Sequence, residues 1–286
     1  MGTFRFAGGV AVITGAASGI GFEFSRLAFL HGMKVVMVDV DALGLEQAVD
    51  LLKVPASEVL TVQVDVSQDD EMERLALSVF ERFGCVNVLM NNAGVCLNKS
   101  VWEHTQEDWQ WVFGVNVFAI SNAIRHFLPK MLNQKEGGHI LNTASVAGLV
   151  NTPGLSAYSA SKHAVVSISE TLYLELKESR SQLGVSVLCP AWVQTNIQNA
   201  QKSRLPRYQN QSEVSSESSM RYEAQMNQAI THAKLSAGDI ALCTFDAIDR
   251  NDFYILPHRK INSIIERRMQ DILMQRNPFI DEGSKQ

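Results

Sequence analysis

Tyr158 and Lys162 stand four residues apart at the start of a stretch, residues 157–177, in which Val165, Ile168, Leu172 and Leu176 recur at three and four. That periodicity predicts a helix, and the spacing puts both polar side chains on one face of it. An ammonium beside a phenol favours the phenolate and lowers the tyrosine pKa from its usual value of about 10. A tyrosine so placed can serve as a general acid or base near neutrality. Asn116 and Ser145 precede the pair, and a glycine-rich turn at residues 14–21 lies far upstream. The turn can hold a dinucleotide, and the four polar groups can move a proton while a nicotinamide moves a hydride.

The elements that must position these groups begin with the turn. Residues 10–13 are apolar and β-branched, as in a buried parallel strand. Gly15, Gly19 and Gly21 follow, and then Phe22, Leu27 and Leu30 at helical spacing. Strand, glycine loop and helix in that order let the backbone approach a pyrophosphate and offer helix N–H groups to it. Gly15, Ser18, Gly19 and Ile20 are therefore the candidate dinucleotide-binding residues of the turn. A second apolar strand, 34–38, ends at Asp39, 18 residues after Gly21. An acid near that distance can accept from the adenosine ribose hydroxyls. The next residue is Val40 and Ser18 is uncharged, so a 2′-phosphate would meet an anion and no cation; the cofactor expected is NAD rather than NADP.

The combined pattern T-G-x-x-x-G-I-G at 14–21, N-N-A-G at 91–94, Asn116, Ser145 and Y-x-x-x-K at 158–162 resembles the short-chain dehydrogenases/reductases. Ser145 lies 13 residues before Tyr158, as in that family, and the resemblance runs over residues 5–257. It implies that Tyr158 exchanges the substrate proton, that Lys162 holds the nicotinamide ribose and lowers the Tyr158 pKa, that Ser145 bonds the substrate oxygen, and that Asn116 positions a water linking Lys162 to solvent. It also implies Asp65 at the adenine amino group with Val66 at a ring nitrogen, Asn92, Ala93 and Gly94 along the adenosine ribose, and Pro190, Val193 and Thr195 at the carboxamide. Ala191 stands where the family has glycine, followed by Trp192. A homodimer or homotetramer is implied too, built on the helix after Trp109 and the helix carrying Tyr158; Trp111, Val115, Phe118, Ile120, Val165, Val166 and Ile168 are the apolar residues expected to exceed what one sheet face needs.

Further strand-like runs at 59–66, 86–91, 139–144, 185–189 and 253–256 alternate with helical periods at 71–83, 109–132 and 236–247. Such alternation predicts one α/β domain, a doubly wound (Rossmann) parallel seven-stranded sheet with helices on both faces. Ligand then sits at the carboxyl ends of the strands, where Gly15, Asp39, Asp65, Ala93, Ser145 and Pro190 fall. Residues 1–257 are read as the oxidoreductase domain. Within it the polar stretch 194–235, nearly low-complexity at 212–219, is read as a substrate lid. Residues 258–286 form a helical extension whose apolar stripe, Ile261, Ile264, Ile265, Met269, Ile272 and Leu273, is expected to pack on its own domain or on a partner subunit.

A chain of 286 residues, 46% hydrophobic, can bury a sizeable core, and a formal net charge of −5 offers nothing to nucleic acid or an anionic membrane. Cys85, Cys96, Cys189 and Cys243 have no metal or redox spacing, no metal site is visible, and Cys85 and Cys189 are read as free core thiols. Without a secretory signal or an apolar run long enough to span a bilayer, the expectation is a cytoplasmic enzyme. The substrate side reads as apolar: Val95, Cys96 and Leu97 after N-N-A-G, Val146, Leu149 and Leu155 around Ser145, and Trp192. Ser145, Leu97, Leu155 and Trp192 are the candidate substrate contacts. No Arg or Lys recurs among these positions, which favours a bulky hydrophobic or aromatic secondary alcohol or ketone over a carboxylate or phosphate. An NAD-retaining epimerase or dehydratase is the alternative within the same fold. An NAD(H) sensor or scaffold is the alternative outside catalysis, disfavoured because a pure binder needs no proton relay.

Overall fold

The computed structural model describes residues 4–55, 57–210 and 216–279. Its β1 (Val10–Thr14) is buried along its whole length, and its residues alternate between two cores. Ala11 and Ile13 join Phe24, Met37, Leu45 and Phe245 on one face, while Val10 and Val12 join Val36, Leu75, Phe127 and Leu172 on the other. A strand covered on both faces has no use for polar alternation, which explains its continuous apolar run.

From β1 the chain crosses through α1 (Gly19–Leu30) to β2 (Lys34–Asp39), through α2 (Ala42–Leu52) to β3 (Val59–Gln63), and through α3 (Asp69–Phe83) to β4 (Val88–Asn91). The helices α4 (Gln106–Phe113) and α5 (Ala119–Asn133) lead to β5 (Gly138–Thr143), and α6 (Ser156–Glu178) leads to β6 (Leu183–Leu188). A two-residue β7 (Val193–Gln194) precedes α7 (Glu217–Thr231), and a two-residue β8 (Leu235–Ser236) precedes α8 (Ala237–Arg250), β9 (Tyr254–Ile255) and α9 (Asn262–Leu273). Seven strands form one parallel sheet in the order β3-β2-β1-β4-β5-β6-β9. The expected doubly wound architecture is what forms. The strand predicted over 59–66 ends at Gln63, so Asp65 and Val66 lie in the loop beyond it.

The single helix predicted over 109–132 is two. A π-turn at Gly114–Phe118 separates α4 from α5 and carries Asn116 at its centre. The apolar period continues across the break, so periodicity could not reveal it. Of the residues expected to be left over for a subunit interface, Trp111, Ile120, Val165 and Val166 are consumed by the chain's own cores, and Phe118 alone is exposed, at 54%.

The polar stretch 194–235 is bracketed by β7 and β8, which pair with each other (Val193 with Leu235). It holds more order than its composition suggests: 3-10 turns at Ile197–Ser203 and Pro206–Tyr208, then the 15-residue α7. The low-complexity run falls partly on residues 211–215, outside those described. Asp108, fully buried at the start of α4, anchors this segment. It takes Arg204 at 2.8 Å, Lys99 at 3.0 Å and the Asn210 amide at 3.1 Å. Burial raises its pKa, but His104, Asn210 and Lys99 outweigh that and hold the carboxyl well below its ordinary range. The predicted C-terminal helix is α9, but its stripe is divided. Ile261 and Ile264 are half-buried, whereas Met269, Ile272 and Leu273 are exposed, so the packing expected on the chain's own domain is only partly made. Residues 280–286 of the extension lie outside those described. No helix among the described residues is long and apolar enough to cross a membrane.

Asp108→Ala would remove the buried carboxylate that pairs with Arg204 and Lys99, which are 3% and 12% exposed in the pair geometry. Removing one partner of a buried ion pair costs on the order of 3–5 kcal/mol. Urea unfolding should register that loss, and an unchanged midpoint would show the network to be solvated.

Candidate active site

The strand-to-helix turn is built on close backbone approach. Gly15 has φ +68°, and a Cβ there would lie 2.9 Å from Ala93 Cα. At Gly21 a Cβ would meet the Gly15 carbonyl oxygen at 2.0 Å, so the turn and the first turn of α1 touch without side chains between them. Thr14 Oγ1 accepts from the backbone N–H of Asn92 (2.9 Å) and Ala93 (3.0 Å), which fastens the end of β4 to the end of β1. Ser18 is the N-cap of α1 but makes no side-chain cap bond, and no acid lies in the first turn. The N–H groups there keep their affinity for an anion.

Asp39 closes β2. Its carboxylate accepts from Ala17 N (3.0 Å) and Asp41 N (3.1 Å), and burial raises its pKa. Asp65 accepts from Ser67 N and Oγ through Oδ1, while its Oδ2 is met by the Arg207 guanidinium from the second 3-10 turn of the polar segment. Tyr208 OH sits 3.2 Å from Ser67 Oγ beside it. Asp65 therefore has a cationic neighbour 142 residues away in sequence, which no local signal announces.

Ser145, Tyr158 and Lys162 come together as expected. Ser145 follows β5 and donates to the Pro190 carbonyl at 3.3 Å while accepting from Ala147 N at 3.1 Å. Tyr158, on the first turn of α6, is buried among Cys96, Leu155, Met226 and Ile230. Lys162 is 2% exposed, donates to the Thr143 carbonyl at 2.8 Å, and has its Nζ 5.7 Å from the Tyr158 ring centroid. Burial lowers the lysine pKa to about 8. The expected lowering of the tyrosine is not what the structure shows. Burial pushes the phenol above its ordinary value, the Cys96 thiol adds to this, and the Ser145 hydroxyl pulls it only partway back. Desolvation of the phenolate is the largest effect on this group.

Asn116 is fully buried. Its Oδ1 accepts from Val95 N (2.8 Å), and its Nδ2 donates to Val95 O (3.0 Å) and Ser161 Oγ (2.9 Å). The side chain thus ties the π-turn to the loop after β4 and to α6, and it does not reach the cavity wall.

A cavity of about 1360 Å3 runs past the glycine turn, the strand-end carboxylates and the Ser145, Tyr158 and Lys162 set. Gly15, Ser18, Gly19, Ile20, Asp39, Asp65, Val66, Asn92, Ala93, Gly94, Pro190, Val193 and Thr195 line it, as do Ser145, Tyr158, Lys162, Leu155 and Trp192. Leu97 does not. It turns into a cluster with Trp111, Val112 and Ala157, and Cys96 takes its place on the wall. Ala191 lines the cavity and its N–H is bonded to His258 Nδ1 at 3.1 Å. The motif-flanking residues bring no cation, but more distant segments do: Lys202, Arg204, Arg268 and Arg276 reach the wall from the polar segment and from α9 and the chain just beyond it. Ile197 and Ile230 and, from the C-terminal extension, Ile261 and Ile264 also line it. Their positions depend on long-range packing, so only the apolar stripe of α9 gave any hint.

A nicotinamide dinucleotide fits the residues present. The glycines leave room for a pyrophosphate where a Cβ would collide, the α1 N-terminus is uncapped, and Asp39 presents acceptors at the next strand end.

The pattern described as "short chain dehydrogenase" matches residues 9–206. The "CLA biosynthesis dehydrogenase/reductase" of Lactiplantibacillus plantarum is 34% identical over 273 residues, covering 95% of each chain. The "C alpha-dehydrogenase" of a Sphingobium species is 29% identical, covering 97% of this chain and 90% of that one. A short chain dehydrogenase/reductase from Burkholderia phymatum, solved in complex with NAD, is 44% identical with a TM-score of 0.94, covering 97% of this chain and 98% of that one.

Gly21→Ala places a methyl group against the Gly15 carbonyl, an overpacking that typically costs about 1–3 kcal/mol. Thermal unfolding should fall by several degrees and binding of a nicotinamide dinucleotide, followed by fluorescence, should be lost. A variant that keeps both would mean that the turn relaxes freely.

Proposed function

The chain belongs to the short-chain dehydrogenase family, and from that premise we propose that it transfers a hydride between NAD(H) and a secondary alcohol or ketone carrying a bulky hydrophobic or aromatic body. One observation carries this reading: the glycine turn and the Ser145, Tyr158, Lys162 set line the same continuous cavity. When bound, the nicotinamide supplies the hydride acceptor or donor. The protein's own groups manage the proton. Tyr158 acts as general base in oxidation and general acid in reduction. The Ser145 hydroxyl, already held by Pro190 O and Ala147 N, bonds the substrate oxygen and orients it toward the phenol. Lys162 contributes positive charge that favours tyrosinate and a donor for the ribose hydroxyls. Asn116, its side chain engaged by Val95 and Ser161 behind the wall, would support the water linking Lys162 to solvent only through the position it gives the loop after β4 and α6.

NAD over NADP is part of the proposal. Asp39 and Asp41 face the end of the cavity where a 2′-phosphate would lie, and the wall around Ser18, Val40, Gly44 and Gln47 carries no cation among the described residues. Like charge at such a site can cost several kcal/mol. The stretch 194–235 is proposed as the substrate lid of the 1–257 domain, supported by its β7–β8 closure and by the residues it sends to the cavity wall. Residues 258–286 are proposed as an extension that completes the wall. The proposal includes a cytoplasmic setting, where four free cysteines stay reduced, and a homodimer or homotetramer joined near the exposed Phe118 and Leu174.

Tyr158→Phe should lower turnover about 10²–10⁴-fold while NAD(H) binding survives, because only the proton is lost. Lys162→Ala should lower turnover and weaken NAD(H) binding together. Near wild-type turnover by Tyr158→Phe on a confirmed secondary alcohol would remove the proton relay. The pH profile gives an independent check. With the phenol above its ordinary pKa, the tyrosinate fraction grows about tenfold per pH unit, so oxidation should climb with pH until Lys162 loses its proton at about 8. A flat profile on the acid side of that value would count against Tyr158 as base. Paired replacement of Asp39 by Ala and Val40 by Arg should relax or reverse the NAD preference in kcat/KM, and a wild-type enzyme that prefers NADP would overturn the assignment.

A further inference from the structure

We propose that Arg268 is a substrate-recognition residue, and that the physiological alcohol or ketone carries a carboxylate remote from its reacting carbon. The inference rests on the oxidoreductase reading above and names the substrate class of the same cavity.

Arg268 is on α9, half-buried, and lines the cavity that holds Ser145 and Tyr158. The segment that delivers it is anchored beside the reacting end, since the His258 ring accepts from Ala191 N next to Trp192. The other cations on the wall are differently placed. Lys162 is buried against Thr143 O, Arg204 is paired with Asp108, and Arg276 is paired with Asp271 at 2.8 Å. Lys202 is exposed on the polar segment. Arg268 has no acidic or hydrogen-bonding partner among the described residues. Asp271, the acid that α9 brings to this wall, is already engaged by Arg276; the remaining wall acids, Asp39, Asp41 and Asp65, belong to the adenosine end.

The surroundings fit an amphipathic molecule. Ile197, Ile230, Ile261 and Ile264 give the cavity wall that carries Arg268 an apolar character. Between His258 and Phe279 there are five basic and two acidic residues, in a chain whose formal net charge is −5. A locally positive rim on an acidic protein draws anions to that opening. A guanidinium presents a planar fork that matches a carboxylate with two parallel bonds, and it is retained at a half-dry wall only at a desolvation cost that such a ligand would offset. An apolar skeleton along the isoleucines, its alcohol at Tyr158 and its carboxylate at Arg268, satisfies each of these groups at once.

The test compares (ω−1)-hydroxylauric acid with its methyl ester, using the full chain with NAD for turnover and with NADH for calorimetric binding. Wild-type enzyme should favour the acid. Arg268→Ala should lose that preference through a rise in KM for the acid of about 10–100-fold, the range expected for a charge-assisted pair. Its kcat, and its kcat/KM for the ester, should stay put. Arg268→Glu should favour the ester, and Arg268→Lys should recover part of the preference. If neither compound is oxidised, but the acid binds more tightly than the ester and only in the presence of Arg268, the recognition role stands and the proposed reaction falls. If both are oxidised with equal kcat/KM and bind equally, the reaction stands and the recognition role is overturned. Sedimentation with phosphatidylglycerol vesicles that weakens in Arg268→Ala, with the acid-to-ester ratio unchanged, would assign the arginine to a lipid surface and overturn it as well.

Discussion

Parallel strand pairing is the constraint on which this molecule depends. A parallel ladder obliges each crossover to carry the chain back to the same starting edge, so every strand ends on the same side of the sheet. That is why the segments that follow β1, β2, β4, β5 and β6, distant in sequence, place Gly15, Val40, Asn92, Ser145 and Pro190 around one cavity. The side chains that bond across this edge are short: Thr14 Oγ1 receives Asn92 and Ala93, and Thr143 Oγ1 donates to Asn92 Oδ1 at 3.3 Å. They fix the strand ends against one another within a few ångströms and leave the loops to do chemistry.

Two buried charges set the character of what lies on that edge. Lys162 donates a hydrogen bond to Thr143 O in an environment that depresses its pKa to about 8. An ammonium near its titration point responds readily to a nearby negative group, which suits a residue placed beside a phenol. Asp108 is the counterpart on the lid side. Its network of Arg204, Lys99 and Asn210 neutralises a fully buried carboxylate and in doing so ties the polar segment to α4. The former is poised to change state, while the latter is held in one.

Much of the fold was legible because its signals are local. Continuous β-branched runs mark strands covered on both faces, and the glycines at 15 and 21 mark a turn in which backbone meets backbone. Misreadings arose where a local signal was silent or ambiguous. The π-turn at Gly114–Phe118 preserves the apolar period on both sides, so one helix was expected where two form. Leu97 is as apolar as Cys96, and only the direction of the chain after Gly94 decides which of them reaches the cavity. The tyrosine pKa was inferred from a charge four residues away, but burial, a property of the whole fold, has the larger effect.

The amino-acid sequence by itself determined the family: a glycine turn, a serine, and a tyrosine and lysine four apart, carried on a parallel sheet. These follow from residue type and from spacings of a few positions, over which helix and strand geometry is fixed. Tertiary structure decided what closes the site. Arg207 against Asp65, Arg204 against Asp108, and α9 with Ile264 and Arg268 on the cavity wall join segments separated by scores of residues. Such contacts depend on how long loops fold back over the sheet edge, and the energy that selects them comes from burial and charge pairing across the fold rather than from any local propensity.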